Sequence, residues 1–144
     1  MTAQDDDGYH PGALRRGAEL FTDSFTRKLF DELAEWDPQF SELFQVFVYG
    51  GMYDREVLDQ RTRELAAVAA CVVANALPQL RSHAFASLRA GATVREIMEI
   101  VMQMTVYCGW PYVLQAIRHV NSFMPELTAL EAELAPAVDD SPSA

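Results

Sequence analysis

Between residues 13 and 123 the apolar positions of this chain recur every three or four residues, and no stretch alternates in the manner of a half-buried strand. Ala13 to Leu33 has this spacing, with a break near Thr22–Ser24. Asp37 followed by Pro38 is an N-cap with proline at the first helical position. Phe40, Leu43, Phe44 and Phe47 follow at helical intervals until Gly50–Gly51 stops them. From about Glu56 a long helix is predicted, with the stripe Leu58, Leu65, Val68, Val72 and Ala76, ended by Pro78. A shorter helix from Pro78 to Ala90 carries Leu80, Ala84, Ser87 and Leu88, and Gly91 suits its C′ position.

The clearest start is at Thr93, where Thr93 and Glu96 form a T-x-x-E capping box. Ile97, Ile100, Val101, Met104, Tyr107 and Cys108 continue from it as one stripe. Gly109 ends that helix and Pro111 opens another, whose apolar face is Val113, Ala116, Ile117 and Val120. The expectation is an all-α fold, a compact single-domain bundle of six to eight helices. Gly8, Pro11 and Gly12 mark a loose acidic N-terminus, residues 1–12. The folded body is expected over 13–134, and Pro136 and the Asp/Ser/Pro run mark a loose tail over 135–144.

Length and composition narrow the picture further. A chain of 144 residues, half of them hydrophobic, suits one domain with a sizeable core. No apolar run reaches the roughly 18 residues of a membrane span. The first residues hold Asp5, Asp6 and Asp7 and no apolar stretch, so no secretory signal is read there and a cytoplasmic location is expected. The net charge of −10 argues against nucleic acid or an anionic membrane as partner. The acids lie mostly at the two ends and the body between is nearly neutral, so it would not oppose self-association. Cys71 and Cys108 form no CxxC, and His10, His83 and His119 have no metal-ligand spacing. Neither a metal nor an organic cofactor is therefore expected.

Three residues stand out for chemistry, each with an ordinary structural reading beside the functional one. His83 shares an apolar face with Leu80, Ala84 and Ser87, where a histidine is usually a satisfied core residue. Glu64 sits mid-helix next to Leu65, where a glutamate is usually solvated or paired with an arginine. Cys71, seven residues on, shares the face of Glu64 and reads as packing.

Four segments in order change that balance. These are Arg61-Thr62-Arg63-Glu64-Leu65, then His83, then Gly91-Ala92-Thr93-Val94-Arg95-Glu96-Ile97, then Tyr107-Cys108-Gly109-Trp110-Pro111. Together with Phe47 to Arg55 upstream, they resemble the carboxymuconolactone decarboxylase family, over roughly residues 13–123. The resemblance implies an alkyl hydroperoxidase D-like helical fold, a homo-oligomer (a trimer, or a hexamer built from trimers) and no cofactor. In thiol-bearing members a Glu and a His relay protons to a CxxC. Glu64 and His83 match that pair, but the CxxC positions hold Ala76-Leu77-Pro78-Gln79. Disulfide exchange needs a thiolate and a partner sulfur, so peroxidase chemistry of that type is excluded.

The decarboxylase branch is the better match. It implies a lyase or isomerase acting by acid/base catalysis on a small carboxylated or lactone-bearing substrate, or on a polyketide-like intermediate. His83 would transfer the proton and Glu64 would hold its tautomer. Arg55, Arg61, Arg63 and Arg81 are candidates to hold the substrate carboxylate. Tyr107, Cys108 and Trp110 are further substrate-binding candidates. A non-catalytic accessory oligomer and an oxidoreductase using Cys71 or Cys108 singly are the alternatives. The chain departs from the family where R-P-G-L becomes Arg55-Glu56-Val57-Leu58 and a tryptophan becomes Tyr53, positions where a substrate pocket could lie. One geometric tension accompanies this reading. Measured to a turn at Leu77–Pro78, Glu64 lies about 20 Å along an ideal helix and His83 only about 8 Å beyond it. The two meet only through a steep crossing, an early bend or a neighbouring subunit.

Overall fold

Caps and stops place the helices. The structure, a computed structural model, describes residues 8–135, and all regular structure among them is helical. In chain order it comprises α1 (Pro11–Leu20), α2 (Asp23–Trp36), α3 (Pro38–Phe44), a π-helical segment (Gln45–Met52), α4 (Gln60–Val73), α5 (Leu77–Arg89), α6 (Val94–Gln103), the single turn α7 (Thr105–Cys108), α8 (Trp110–Ser122) and α9 (Met124–Leu134). Thr22 breaks α1 from α2 and caps the second through its side chain, and Asp37 with Pro38 starts α3. The Thr93–Glu96 box is fully formed, and Gly91 and Gly109 take positive φ at the two helix ends expected of them.

Two apolar clusters form among the described residues. One is largely aliphatic and lies among α4, α5, α6, α8 and α9, with Val68, Val72, Leu80, Ile97, Val101, Val113, Val120, Phe123 and Leu127 at its centre. Each large side chain fully buried there contributes roughly 1.5–3 kcal/mol. The other is aromatic and lies among α1, α2, the π segment and one face of α5, around Phe21, Phe30 and Tyr49. Close approach of α1 to α2 depends on Gly17, where a Cβ would stand 2.4 Å from Thr26 Cγ2.

Several sequence expectations shift. Helix α1 begins at Pro11 rather than Ala13, and His10 caps it by accepting from the Ala13 N–H, so residues 8–12 join the folded body. Residues 1–7 and 136–144 lie outside the described part. Helix α4 starts at Gln60 rather than near Glu56, because Asp59 is its N-cap. It ends at Val73, before Pro78, where Asn75 turns the chain in a left-handed conformation at φ 53°. Phe40, Leu43 and Phe47 face outward, and Gly50–Gly51 lie inside the π segment instead of ending a helix. The inner side of that stretch is polar: Ser41 donates to the Phe30 carbonyl, and Gln45 bonds both Ser41 and the His10 N–H. No described helix is long and apolar enough to cross a membrane.

Candidate active site

Helices α4 and α5 form the most extensive helix pair and carry the two candidate chemical groups. The early end of α4 resolves the geometric tension. Glu64 stands nine residues before Val73 and His83 six after Leu77, so they differ in height by only about 4–5 Å. His83 Nδ1 lies 2.7 Å from Glu64 Oε2 within one chain. Glu64 is completely buried, while the His83 side chain stays about one-fifth exposed. The buried residues Leu80, Ala84 and Leu88 anchor α5, and Ser87 donates to the His83 carbonyl at 2.8 Å. Phe21 abuts the imidazole edge-on, its ring centroid 5.5 Å away.

His83 lines a cavity of about 560 Å3, within the range of small-molecule sites. Phe21, Phe25 and Leu29 form one wall, Phe44, Val48, Tyr49 and Tyr53 a second, and Pro78, Gln79, Ser82 and His83 the third. With Nδ1 held by Glu64, Nε2 is the ring nitrogen left to meet a ligand. Gln79 stands one turn before His83, at the position where a thiol-bearing relative would place its second cysteine.

The two tyrosines complete the polar equipment. Burial, with the charge of Glu64 added, raises the hydroxyls of Tyr49 and Tyr53 far above the ordinary phenol value. Both therefore remain O–H donors at working pH. Tyr53 is held by Gln60, whose side-chain N–H donates to the Tyr53 carbonyl, and by stacking on Tyr49 at 5.7 Å. Its hydroxyl interacts with Glu64, whose Oε1 is buried without a geometric hydrogen-bond partner. Burial first, and Glu64 second, raises the Cys71 thiol, which makes it a poor source of thiolate.

None of the other candidates lines this cavity. Arg55 is exposed, and Arg63 braces its carbonyl and that of Leu58. Arg61 pairs with Glu96. Arg81 reaches Glu126 at 3.3 Å and borders an adjoining recess. Tyr107 and Trp110 are exposed at the α7–α8 junction, and the Cys108 thiol donates to the Met104 carbonyl. The altered segment Arg55–Leu58 stays outside the cavity, whereas Tyr53 enters its wall. Sequence reading missed Phe21, Phe25, Tyr49, Gln79 and Ser82. Among them Gln79 carried a signal, through the vacant thiol position, and Tyr49 lay within the family-like segment Phe47 to Arg55. No group of three or more His, Cys, Asp or Glu gathers among the described residues to hold a metal.

Residues 38–121 match the model of the carboxymuconolactone decarboxylase family. The chain belongs to that family. The match takes in both Glu64 and His83 and leaves out α1, α2 and their junction, with Phe21 and Phe25. The chain is 24% identical to the 4-carboxymuconolactone decarboxylase of Acinetobacter baylyi, over 74% of this chain and 79% of that protein. It is 30% identical to the nitrosuccinic acid decarboxylase of Metarhizium robertsii, over 53% of each. A Paracoccus denitrificans protein from the nqo9–nqo10 intergenic region, uncharacterized, is 40% identical over 54% of this chain, and the match spans 60% of its length. Decarboxylase-type function is thus supported for this member at the level of the family.

Proposed function

We propose that this protein is a cofactor-independent decarboxylase-type lyase or isomerase, with His83 as its proton-transfer residue and Glu64 as the residue that positions it. The observation that carries the reading is the 2.7 Å contact of a fully buried Glu64 with a His83 that lines a small-molecule-sized cavity. The substrate is a small carboxylic acid with an electron-accepting group conjugated to, or adjacent to, the carbon that loses carbon dioxide. A lactone, enone or nitro group would serve, and the decarboxylases named above are similar in acting on carboxylated compounds of this kind.

The step balances without a redox partner. The C–C bond to the carboxylate breaks, its electron pair passes into the acceptor, and carbon dioxide leaves. In this reading the Tyr53 O–H donates to the developing oxyanion. A proton then moves from His83 Nε2 to carbon, and solvent restores it. Glu64 fixes Nδ1–H inward, so that Nε2 is the exchanging nitrogen. We further propose a homo-oligomer, because Phe40, Leu43 and Phe47 on one side and Val106, Tyr107 and Trp110 on another leave apolar surface exposed. Light scattering should give more than a monomer mass at micromolar concentration.

The test is to incubate the protein with 4-carboxymuconolactone and with nitrosuccinate in D2O and to follow carbon dioxide release and deuterium uptake by NMR. Turnover with one deuterium at the protonated carbon is expected, and folded His83→Ala should lose on the order of 10²–10⁴-fold. Full turnover in folded His83→Ala would overturn the assignment.

A further inference from the structure

The His83 cavity has a neighbour. A second recess of about 310 Å3 lies against α5, and Phe21, Phe25 and Ser82 line both spaces. These three side chains are the partition between them, and they are not equivalent. Phe21 is buried and meets Tyr49 and His83 edge-on, with ring centroids 6.2 and 5.5 Å away, so the aromatic core and the imidazole both lean on it. Ser82 is small. Phe25 is two-fifths exposed, and among the described residues its one ring partner is Phe21, stacked at 5.5 Å. The Phe25 ring therefore stands no more than two such steps from the imidazole.

The backbone beneath Phe25 is fixed although its ring is not packed in. Thr22 takes φ 154°, a region that residues with side chains rarely adopt, and its hydroxyl accepts from the Phe25 N–H at 3.2 Å. Thr26 Oγ1 donates to the Thr22 carbonyl at 2.8 Å, and Gly17 of α1 leaves room for Thr26 and for nothing larger. The cap and this close approach set where α2 starts, and they would do so with any residue at position 25. The fold does not call for a large ring here, yet the ring stands where two cavities would otherwise join. Phe25 also lies outside residues 38–121, so nothing in the segment that matches the family sets it.

We propose that Phe25 is a specificity-determining residue, which sets the longest ligand the His83 cavity admits by closing it off from the α5 recess. Selection of this kind works by a clash with the longer competitor. The proposal rests on the reading of the cavity as the substrate site, and not on the proton-transfer role of His83. The competing role for Phe25 is to cover Phe21 at the surface. Its removal would then weaken ligands of every length alike and leave the limit where it was.

Calorimetric titration of the intact protein with straight-chain monocarboxylates, from butanoate to dodecanoate, separates the two roles. In the wild type, affinity should rise about fourfold with each methylene up to a limiting length and then stop rising. The first acid beyond that limit should bind Phe25→Ala at least about tenfold more tightly than the wild type. Phe25→Trp should bring the limit in by about one carbon. Absence of a limit in the wild type, or of binding at any length, would overturn the proposal, as would the same limit in folded Phe25→Ala. Should Phe25→Ala not fold, Phe25→Trp must still shorten the limit, or the proposal fails. Titration and turnover of His83→Ala keep the two readings apart. A retained limit alongside full turnover in that variant leaves the role of Phe25 standing and removes that of His83. A wild type without a limit alongside a dead His83→Ala does the reverse.

Discussion

The aliphatic and aromatic halves of this molecule follow different rules. In the aliphatic half, helices α4 to α9 turn regular stripes of Val, Leu and Ile inward around Ile97, Val101 and Leu127. In the aromatic half, broad rings from α1, α2 and the π segment meet mostly edge to face and enclose space instead of filling it. The reactive pair sits on the seam. Glu64 and His83 are mounted on the aliphatic frame, and the His83 ring faces the aromatic chamber. The frame fixes the backbone that carries the proton-transfer group, and the chamber ring Phe21 packs against its imidazole.

Cutting a ring from each half is the strongest way to break that comparison. Phe123→Ala, fully buried in the frame, should cost about 3–5 kcal/mol in urea unfolding. Phe25→Ala, partly exposed on the chamber wall, should cost less than about 1 kcal/mol and act on substrate affinity instead. Equal losses would erase the distinction.

The seam comes next. His83→Ala leaves Glu64 buried with neither oxygen partnered and should cost about 2–3 kcal/mol of stability beside its effect on turnover. Adding Glu64→Leu should restore most of that stability and none of the activity, a sign that the pair serves chemistry at the expense of the fold. An additive double variant would contradict this.

Tyr53→Phe sharpens the assignment of the chamber. Turnover should fall on the order of 10²–10³-fold, the usual cost of losing an oxyanion donor, with stability changed by less than about 1 kcal/mol. An unaltered rate would remove Tyr53 from the mechanism.

The mildest effect belongs to the frame's edge. The Thr93 backbone and side-chain donors, with Arg61 added, hold the Glu96 carboxyl below its ordinary value. Its contribution is therefore present above the ordinary carboxylate range and is lost as pH falls through the lowered value. Thr93→Ala should cost about 1 kcal/mol near neutrality and flatten the acid limb of a stability–pH curve.

How far the sequence alone could be read follows the same division. The frame was legible because its helices bury what periodicity marks, and because Thr93, Gly91 and Gly109 act through local chemistry. The chamber was not. Phe40, Leu43 and Phe47 form a regular stripe that faces outward, while Ser41 and Gln45 are buried because they satisfy each other, the Phe30 carbonyl and the His10 N–H. Periodicity cannot distinguish a polar residue with partners from one in water. The Glu64–His83 pairing was legible through family resemblance alone, since Asn75 ends α4 early without a glycine or proline to signal it.

The π-helical stretch constrains how the chain can change length. Its i→i+5 bonding carries Tyr49 and Tyr53 to the chamber wall, with Gly50 and Gly51 where a Cβ would crowd His10 and the Val46 carbonyl. Removing one residue from Gln45–Met52 would let ordinary α-helical bonding resume and swing everything beyond by about 100°. Tyr53 would leave the chamber even though no residue type had been altered. Substitutions at outward positions such as Phe47 are open to drift, whereas single-residue insertions and deletions here are closed. This wall can be repainted over evolutionary time, but it cannot be lengthened.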